Sequence, residues 1–310
     1  MQEDAGAAWM RHMRRGDFEA AWAVSDEVLR AHQGVSCTHL PRHEQWVWDG
    51  TPVQGKRVLV RCYHGLGDTL QFIRFAPRLR ATAQEVIVWA QPELIPLLRT
   101  TAGIDRLVPL HDGAPEAEFD VDVEVMELAH VFRATPRTLP PVPYLHADPA
   151  PLRRDGRLAV GLVWQAGGWD ERRSIPPHLL APLAEVPGVA WHVLQRGAGL
   201  AERPEWLATV SGSDDVREAA RVMRALDLVV TVDSMPAHLA GALGVPVWTL
   251  LHSQPDWRWM EHRGDSPWYD TMRLFRQDRP GAWSPVLARV AQALAERVQG
   301  TRRPARAAAR

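Results

Sequence analysis

Residues 232–248 read Val-Asp-Ser-Met-Pro-Ala-His-Leu-Ala-Gly-Ala-Leu-Gly-Val-Pro-Val-Trp and carry the strongest structural signal of the 310-residue chain. An apolar run, 226–232, leads into this stretch, and Pro236 opens an Ala/Leu-rich segment behind it. Because proline is favoured in the first turn of a helix, the pattern predicts a buried strand, a tight polar turn and a helix. Such a turn brings backbone N–H groups together with the positive end of a helix dipole, and it therefore suits a phosphate or diphosphate.

The same alternation of apolar strands and amphipathic helices extends over most of the chain. We expect strands at 57–63, 85–89, 105–109, 119–125, 158–164, 190–194, 226–232 and 246–251, and helices at 69–80, 93–99, 215–225, 237–243 and 283–298. Strands that alternate with helices favour parallel, doubly wound sheets. Six of the 25 prolines fall within 135–156, which indicates a linker. The predicted fold class is therefore α/β, with two Rossmann-like domains and a ligand cleft between them.

Two short helices are expected within 5–32, on either side of Gly16. The run Gly-Asp-Phe-Glu-Ala-Ala-Trp (16–22) resembles the centre of a tetratricopeptide repeat. One such unit cannot bury its apolar faces alone, so it must dock on the rest of the protein or on another chain. It is either a helical cap or a remnant that binds a partner, which includes a second copy in a homo-oligomer. The predicted domains are this helical hairpin at 1–35, Rossmann-like domains at 36–150 and 151–280, a closing helix at 281–300 and a disordered basic tail at 301–310.

Composition argues against several classes of function. The net charge is −1, so nothing global indicates a nucleic acid or a membrane surface as partner. No apolar segment approaches the ~20 residues of a membrane span, and the acidic start Met-Gln-Glu-Asp is unlike a secretory signal. Cys37 and Cys62 lack the C-x-x-C spacing, which fits a reducing compartment. We therefore expect a cytoplasmic protein.

A metal site is not expected. The triplet Asp120-Val121-Asp122 matches a D-x-D motif, but it lies within Asp-Val-Asp-Val-Glu-Val. Such strict alternation is typical of a half-exposed strand, and the two aspartates are then solvent-facing positions.

The loop His64-Gly65-Leu66-Gly67-Asp68 follows the first predicted strand. Glycines at this place let the backbone turn sharply and approach a ligand. The loop is not G-x-G-x-x-G, and no Walker lysine follows, so dinucleotide and nucleoside triphosphate sites are disfavoured. Asp68 has two interpretations that the spacing does not separate: a helix N-cap, or a general base that faces the cleft.

A second loop, 164–176, carries a glycine pair followed by Arg172 and Arg173. Arginines on such a loop suit a diphosphate, which they can bind bidentately; alternatively they pair with Asp170 and Glu171 on a solvated loop. His238 is either a core residue or a donor to phosphate. The Trp-rich segment 254–269 either stacks on a base or sugar ring or forms part of the core.

Together, four stretches in order resemble glycosyltransferase family 9, the heptosyltransferase-like enzymes of GT-B fold. They are Gly-Leu-Gly-Asp-Thr-Leu-Gln-Phe-Ile-Arg-Phe (65–75), Val-Gly-Leu-Val-Trp-Gln with Arg-Arg-Ser-Ile-Pro (160–176), the stretch 226–246, and Asp-Trp-Arg-Trp through Ser-Pro-Trp-Tyr (256–269). The likeness covers roughly residues 40–300 and is greatest to the bacterial branch in which this domain follows tetratricopeptide repeats.

The resemblance implies an inverting, metal-independent transfer of a sugar, with heptose from ADP-heptose as the family default. The donor would be a nucleotide diphosphate sugar, with no further cofactor, and the acceptor a hydroxyl of a protein or saccharide. The resemblance makes 36–150 the acceptor domain and 151–280 the nucleotide-sugar domain. It makes Asp68 the general base and places Arg173 on the donor diphosphate, with the helix N-terminus at Pro236 and Ala237. The predicted donor-binding residues are Gln165, Arg172, Arg173, Ser174, Asp233, Ser234, Met235, His238 and Trp257, and the acceptor-side loop contains His64, Gly65, Gly67 and Gln71.

The chain departs from the family pattern at two places. Met235-Pro236 stands where the family has a small residue, and Pro236 has no N–H to donate to phosphate. Met126-Glu-Leu-Ala129 replaces a Ser-Leu-Pro-like turn, which would alter acceptor binding. A second hypothesis is therefore a catalytically weak, sugar-nucleotide-binding scaffold that acts through the N-terminal helices. A third, an epimerase of the same fold, lacks an evident pattern of acid and base carboxylates.

Overall fold

The computed structural model describes residues 4–152 and 155–302, and it begins with a helical hairpin. Helix α1 (Ala5–Arg15) and helix α2 (Phe18–His32) are antiparallel neighbours joined at Gly16. Gly16 takes a left-handed conformation, with φ 77°, which glycine adopts without steric cost. The side chains of Asp4 and Asp17 cap the two helices by accepting backbone N–H groups.

The N-terminal sheet has four parallel strands in the order β3-β2-β1-β4. Its strands are β1 (Arg57–Arg61), β2 (Glu85–Ala90), β3 (Arg106–Pro109) and β4 (Val121–Glu124), and its helices are α3 (Leu66–Phe72), α4 (Ala76–Arg80), α5 (Ile95–Leu98) and α6 (Leu128–Val131). The single helix predicted at 69–80 is wrong in detail, because a 3₁₀ turn at Ile73–Phe75 separates α3 from α4. Pro77 has no N–H to bond the Ile73 carbonyl, so the regular helix is interrupted there.

The C-terminal sheet has five parallel strands in the order β6-β5-β7-β8-β9. Its strands are β5 (Leu158–Val163), β6 (Val189–Val193), β7 (Leu228–Val232), β8 (Val247–Leu251) and β9 (Met272–Arg276), and its helices are α7 (Ala181–Ala184), α8 (Ala198–Ala201), α9 (Val216–Arg224), α10 (Met235–Ala242) and α11 (Trp283–Arg302). The sequence missed β9, a short strand behind the Trp-rich loop. Helix α11 runs two residues into the predicted tail, and residues 303–310 lie outside the described residues.

The two sheets share one hydrophobic core with the hairpin. Helix α10 packs on α3, and an added Cβ at Gly67 would lie 2.9 Å from the ring of His238. The Pro-rich segment is ordered against both domains: the Tyr144 hydroxyl donates to the Leu70 carbonyl over 2.9 Å, and its N–H donates to Ala242 over 3.1 Å. The two predicted Rossmann-like units and the GT-B architecture are therefore confirmed.

The hairpin docks on both halves of the molecule. On the N-terminal side, the Trp22 indole donates to the Ala134 carbonyl over 2.7 Å, and Asp26 pairs with Arg133 over 2.7 Å. On the C-terminal side, the Glu261 N–H donates to the Arg14 carbonyl over 2.8 Å. Four apolar residues of the hairpin are thus buried within the chain, as a helical cap requires; they are Met13, Phe18, Ala21 and Trp22. A membrane crossing needs a longer and more apolar helix than any in the described part of the chain.

Candidate active site

The carboxyl ends of β1 and β4 lie side by side in one sheet, and those of β5 and β7 do so in the other. In open α/β sheets, ligands bind at the carboxyl edge between two neighbouring strands whose connections run to opposite sides of the sheet. Each of these two strand pairs forms such a position. The loop 62–65 and residue Glu124 flank the first point. Gln165 and Ser234 flank the second, and α3 and α10 bring the two points together across the cleft.

Asp68 lies at the third position of α3, and Gly65 is the N-cap. One carboxylate oxygen of Asp68, Oδ2, accepts the Gly65 N–H over 2.9 Å, which closes the first turn. The other oxygen, Oδ1, pairs with Nη2 of Arg258, and the side chain stays 24% exposed. Asp68 is therefore not the N-cap residue, which is Gly65, although its side chain does cap the first turn of α3. Its carboxylate also reaches the cleft, as a base would need to.

Arg258 is a central residue of this cleft that sequence reasoning did not single out. It belongs to the 3₁₀ turn Trp257–Trp259 and is buried. Its guanidinium binds Asp256 over 2.8 Å and the Gln71 side-chain oxygen over 2.8 Å, besides Asp68. Arg258 therefore joins the turn Trp257–Trp259 of the C-terminal domain to Asp68, the predicted base, in the N-terminal domain. The signal was present in Asp-Trp-Arg-Trp, where an arginine between two buried tryptophans needs carboxylate partners.

His238 is buried, at 6% exposure, between the ring of Trp259 and the hydroxyl of Tyr269. Its Nδ1 lies 3.0 Å from the Tyr269 oxygen. Burial, with Arg258 adding to it, lowers the pKa of His238 to about 4, so the imidazole is neutral near pH 7. The structure thus places His238 in the packed contact with Gly67, which is the core interpretation.

A cavity of about 530 Å³ lies at the carboxyl edge of the C-terminal sheet. Four of the predicted donor-binding residues line it, namely Gln165, Ser174, Ser234 and Met235. Gln195 also lines the cavity and was missed by the sequence; its side-chain oxygen accepts the N–H groups of Trp164 and Gln165 over 3.1 and 2.9 Å. A buried glutamine that holds two backbone groups fixes the loop after β5, and it lies outside the quoted motifs.

The two loop arginines differ in their surroundings. Arg172 forms an exposed ion pair with Asp170 over 2.8 Å, as the solvated-loop alternative predicted. Arg173 donates from Nη1 to the Asp233 carbonyl over 3.3 Å, and its buried Nε has no hydrogen-bond partner. An unpartnered guanidinium N–H beside the β7–α10 turn is the group expected to meet an anion. Burial, reinforced by Asp256, raises the pKa of Asp233 to about 6.

The N-terminus of α10 offers fewer donors than a typical helix. Pro236 has no N–H, and the Ala237 N–H is already bonded to the Ser234 carbonyl over 2.9 Å. The structure describes all of the first three residues of α10. Among these three, Met235 is the residue whose backbone N–H is left to bind a ligand. The predicted lack of a donor at Pro236 is therefore accompanied by an Ala237 N–H that is already bonded.

Trp257 does not line the donor cavity. Its ring packs edge-on against Trp9 of the hairpin, with 5.0 Å between centroids, and it borders a second cavity, between the hairpin and the N-terminal domain. His64 borders the same second cavity, and its carbonyl accepts the Gln91 amide over 2.8 Å. The other predicted site residues border neither of these two cavities; they are Gly65, Gly67, Asp68, Gln71, Arg172, Arg173, Asp233 and His238.

The aspartates of the D-x-D triplet are used in ion pairs. Asp120 pairs with Arg57 over 3.0 Å, and Asp122 pairs with Arg61 over 2.6 Å. These ion pairs account for the alternation of acidic and apolar residues along β4. The same strand ends in Glu124, a buried carboxyl that sequence reasoning passed over and that borders the second cavity.

Comparison with known proteins shows which proteins the chain resembles. Residues 194–286 match the model of glycosyltransferase family 9 (heptosyltransferase). The protein FlbA of Caulobacter vibrioides is 26% identical over 80% of this chain and 48% of FlbA, so the chain spans about half the length of this relative.

Solved structures share the fold at low identity. A family 9 glycosyltransferase from Veillonella parvula has a TM-score of 0.57 at 12% identity, over 73% of this chain and 87% of that one. The E. coli ADP-heptose lps heptosyltransferase II has 0.53 at 16%, over 78% and 99%. The dodecameric, iron-containing heptosyltransferase TibC in complex with ADP-D-beta-D-heptose has 0.53 at 13%, over 80% and 77%. Residues 194–286 are therefore similar to glycosyltransferase family 9, and the chain shares its fold with these enzymes.

Proposed function

We propose that the chain transfers a sugar from a nucleotide diphosphate sugar to an acceptor hydroxyl, with inversion at the sugar and without a metal ion. The observation that carries the proposal is the position of Asp68. Its carboxylate reaches the cleft between the donor-side cavity and the acceptor-side cavity, held by Arg258 on one oxygen and by Gly65 on the other. A carboxylate in that position can take the proton of an attacking hydroxyl.

The donor diphosphate lies, in this proposal, against Arg173 and the Met235 N–H. Arg173 has a buried Nε without a partner, and a diphosphate oxygen would satisfy it. Transition-state stabilisation requires positive groups where charge develops, and the leaving diphosphate gains charge as the bond from the sugar breaks. Because TibC was solved in complex with ADP-D-beta-D-heptose, ADP-heptose is the first donor to examine.

The transfer then proceeds in one displacement. The acceptor oxygen attacks the anomeric carbon from the face opposite the diphosphate, and the carbon–oxygen bond to the diphosphate breaks. The hydroxyl proton passes to Asp68, and Arg173 takes up the charge on the leaving group. In this proposal Arg173, rather than a metal ion, stabilises the leaving diphosphate. The free thiols of Cys37 and Cys62 support a reducing, cytoplasmic location.

One observation favours a second candidate, the sugar-nucleotide-binding scaffold with weak turnover. The first turn of α10 lacks the N–H of Pro236 and has the N–H of Ala237 bonded to Ser234. Fewer donors at the diphosphate weaken stabilisation of the leaving group. The two candidates differ in turnover and agree in donor binding.

A thermal-shift panel with ADP, GDP, UDP and dTDP sugars tests donor binding first. Specific binding at about 100 times the Kd stabilises the folded state by about 2.7 kcal/mol. We expect ADP-heptose to raise the melting temperature and Arg173→Gln to remove the increase. Release of ADP on addition of an acceptor then supports the transferase, while binding without release supports the scaffold. A panel in which no nucleotide sugar raises the melting temperature would contradict both.

A further inference from the structure

A cavity of about 580 Å³ lies between the hairpin and the N-terminal domain. We call it the hairpin cavity. Helices α1 and α2 form one wall, the segment 43–48 forms a second, and the end of β4 forms the floor. Five tryptophans border it: Trp9, Trp22, Trp46, Trp48 and Trp257. No catalytic or donor-binding role assigned above uses this space.

The hairpin cavity is continuous with the catalytic cluster. His64, Phe72 and Met126 all border it, and they come from the loop after β1, from α3 and from the turn after β4. The Arg258 guanidinium that holds Asp68 lies 3.8 Å from the Met126 sulfur and packs on the Trp257 ring, 4.7 Å from its centroid. The inner end of the cavity therefore adjoins the proposed base, on the side away from the donor cavity.

A buried polar atom on the floor lacks a partner. Glu124 is 3% exposed, and its Oε2 accepts the Met126 N–H over 2.6 Å. Its Oε1 is buried and has no partner at hydrogen-bond geometry, although the Tyr63 N–H lies close enough to the carboxyl to act against the rise of its pKa. Burial raises the pKa of Glu124 well above its usual value, with the charges of Glu127 and Asp68 adding to the effect. An orphaned carboxyl atom in a cavity wall is a position where a ligand hydroxyl or amide would be bound.

The residues that line the cavity limit which classes of ligand can bind there. Besides the tryptophans, the hairpin presents the aliphatic side chains of Met10, Val28 and Leu29. The described residues that border the cavity include no lysine or arginine, whereas Glu44, Glu124 and Glu127 are among them. A phosphorylated saccharide or a phospholipid headgroup would therefore meet carboxyl groups and no strong cation. The polar side chains of the walls are a minority of the lining, whereas an uncharged saccharide needs hydrogen-bond partners around its whole ring. Besides the three glutamates they are Ser25, His32, His43, Gln45, His64 and His130.

We propose that the hairpin cavity is the acceptor site and that it binds a peptide segment, whose bulky apolar side chain fills the cavity while a neighbouring hydroxyl reaches Asp68. The proposal rests on the transferase function proposed above. The apolar side chain packs against Trp9, Trp46 and Leu29, and a backbone amide of the peptide donates to Oε1 of Glu124. The hairpin thus forms one wall of the substrate site in addition to capping the core.

A pair of variants on one helix tests the site without disturbing the cleft. Val28 borders the cavity, and Val28→Trp fills it; Ala23 is exposed on another face of α2 and does not border it, so Ala23→Trp is the matched control. The probe is a fluorescein-labelled twelve-residue peptide with one serine flanked by leucine and phenylalanine. Anisotropy titration is expected to give at least a tenfold weaker Kd for Val28→Trp and an unchanged Kd for Ala23→Trp. The melting-temperature increase with ADP-heptose should be equal in all three proteins.

Met10→Ala serves if Val28→Trp fails to fold, because Met10 is 37% exposed at the rim and its truncation leaves the core intact. We expect about threefold weaker peptide binding for it. Equal peptide binding by wild type and Val28→Trp would overturn the proposal. So would equal binding of a peptide with aspartates in place of the apolar residues, or displacement of the peptide by phospholipid vesicles. A peptide that binds as expected but receives no sugar would instead count against the transferase function and leave the binding site in place.

Discussion

Arg258 pairs with two partly exposed carboxylates, and its removal should be costly in a way that depends on pH. The guanidinium bonds Asp256 over 2.8 Å and also holds Asp68, with 9% of its own side chain exposed. Replacement by methionine keeps much of the apolar contact with Trp257 but leaves both carboxylates unpaired, with 36% of the Asp256 side chain and 24% of the Asp68 side chain exposed. Removing one partner of a fully buried ion pair destabilises a protein by about 3–5 kcal/mol, whereas an exposed pair is worth about 0–1 kcal/mol. We therefore expect a loss of about 1–3 kcal/mol for Arg258→Met at pH 7.

The loss should shrink as the pH falls. Burial acts to raise the pKa of Asp256, and Arg258 outweighs it and holds that pKa below the usual value in the native state. In Arg258→Met the guanidinium is lost while burial and the hydrogen bond from the N–H of residue 258 remain, so the pKa of Asp256 rises and the carboxyl takes up its proton at a higher pH than in wild type. Each pKa unit is worth about 1.4 kcal/mol. The difference between wild type and variant should therefore fall by about 1–2 kcal/mol between pH 7 and pH 4.

Urea unfolding of both proteins at several pH values measures this difference. Arg74→Met is the matched control, since Arg74 is also a buried arginine between the domains but bonds the carbonyls of Pro140 and Trp268, which do not titrate. Its destabilisation should be the same at pH 7 and pH 4. If Arg258→Met were also independent of pH, or cost less than about 1 kcal/mol, the ion-pair account of the cleft would be refuted.

Three further predictions follow from single contacts. Gly67→Ala should lower the free energy of unfolding by about 1–3 kcal/mol, because its Cβ would meet the His238 ring at 2.9 Å, whereas Gly168→Ala, with open space around it, should change stability little in urea titrations. His238→Phe should flatten the pH dependence of stability between about pH 6.5 and 4: the lowered pKa means that the unfolded state takes up the proton first, so wild type loses stability as the pH falls through this window. Arg173→Gln should weaken ADP binding about tenfold to a hundredfold by calorimetry, and Arg172→Gln less, because Arg172 is already paired with Asp170.

Much of the architecture could be predicted because buried parallel strands are continuous apolar runs. The strand at 228–232, the turn at Asp233-Ser234 and the helix from Met235 follow the sequence pattern closely. The loops at 64–68 and 164–176 could be placed at sheet edges for the same reason. The strand Met272–Arg276 could not, because the exposed Arg273 interrupts its apolar residues and the strand follows an aromatic loop.

The division of the site into two cavities could not be predicted. Asp233 and Trp257 belong to neighbouring sequence motifs, yet Trp257 packs on Trp9 and borders the hairpin cavity. That contact joins residues 248 positions apart, and periodicity gives no information on such pairs. The role of Arg258 could not be predicted either, because it depends on a contact with Asp68 of the other domain. Glu124 was read as one member of an alternating strand, and its burial arises from packing under the hairpin.

The kinetic effect of Asp68→Asn tests the central claim most directly. Asparagine keeps the size of the side chain and can still accept the Gly65 N–H, but it cannot take up the acceptor proton. With an acceptor and ADP-heptose, we expect kcat to fall by about 10²–10⁴-fold while the melting-temperature increase with ADP-heptose is retained. Asp112→Asn, an exposed carboxylate change on the same domain, should leave both unchanged. Turnover by Asp68→Asn at the wild-type rate would contradict the assignment of Asp68 as the base.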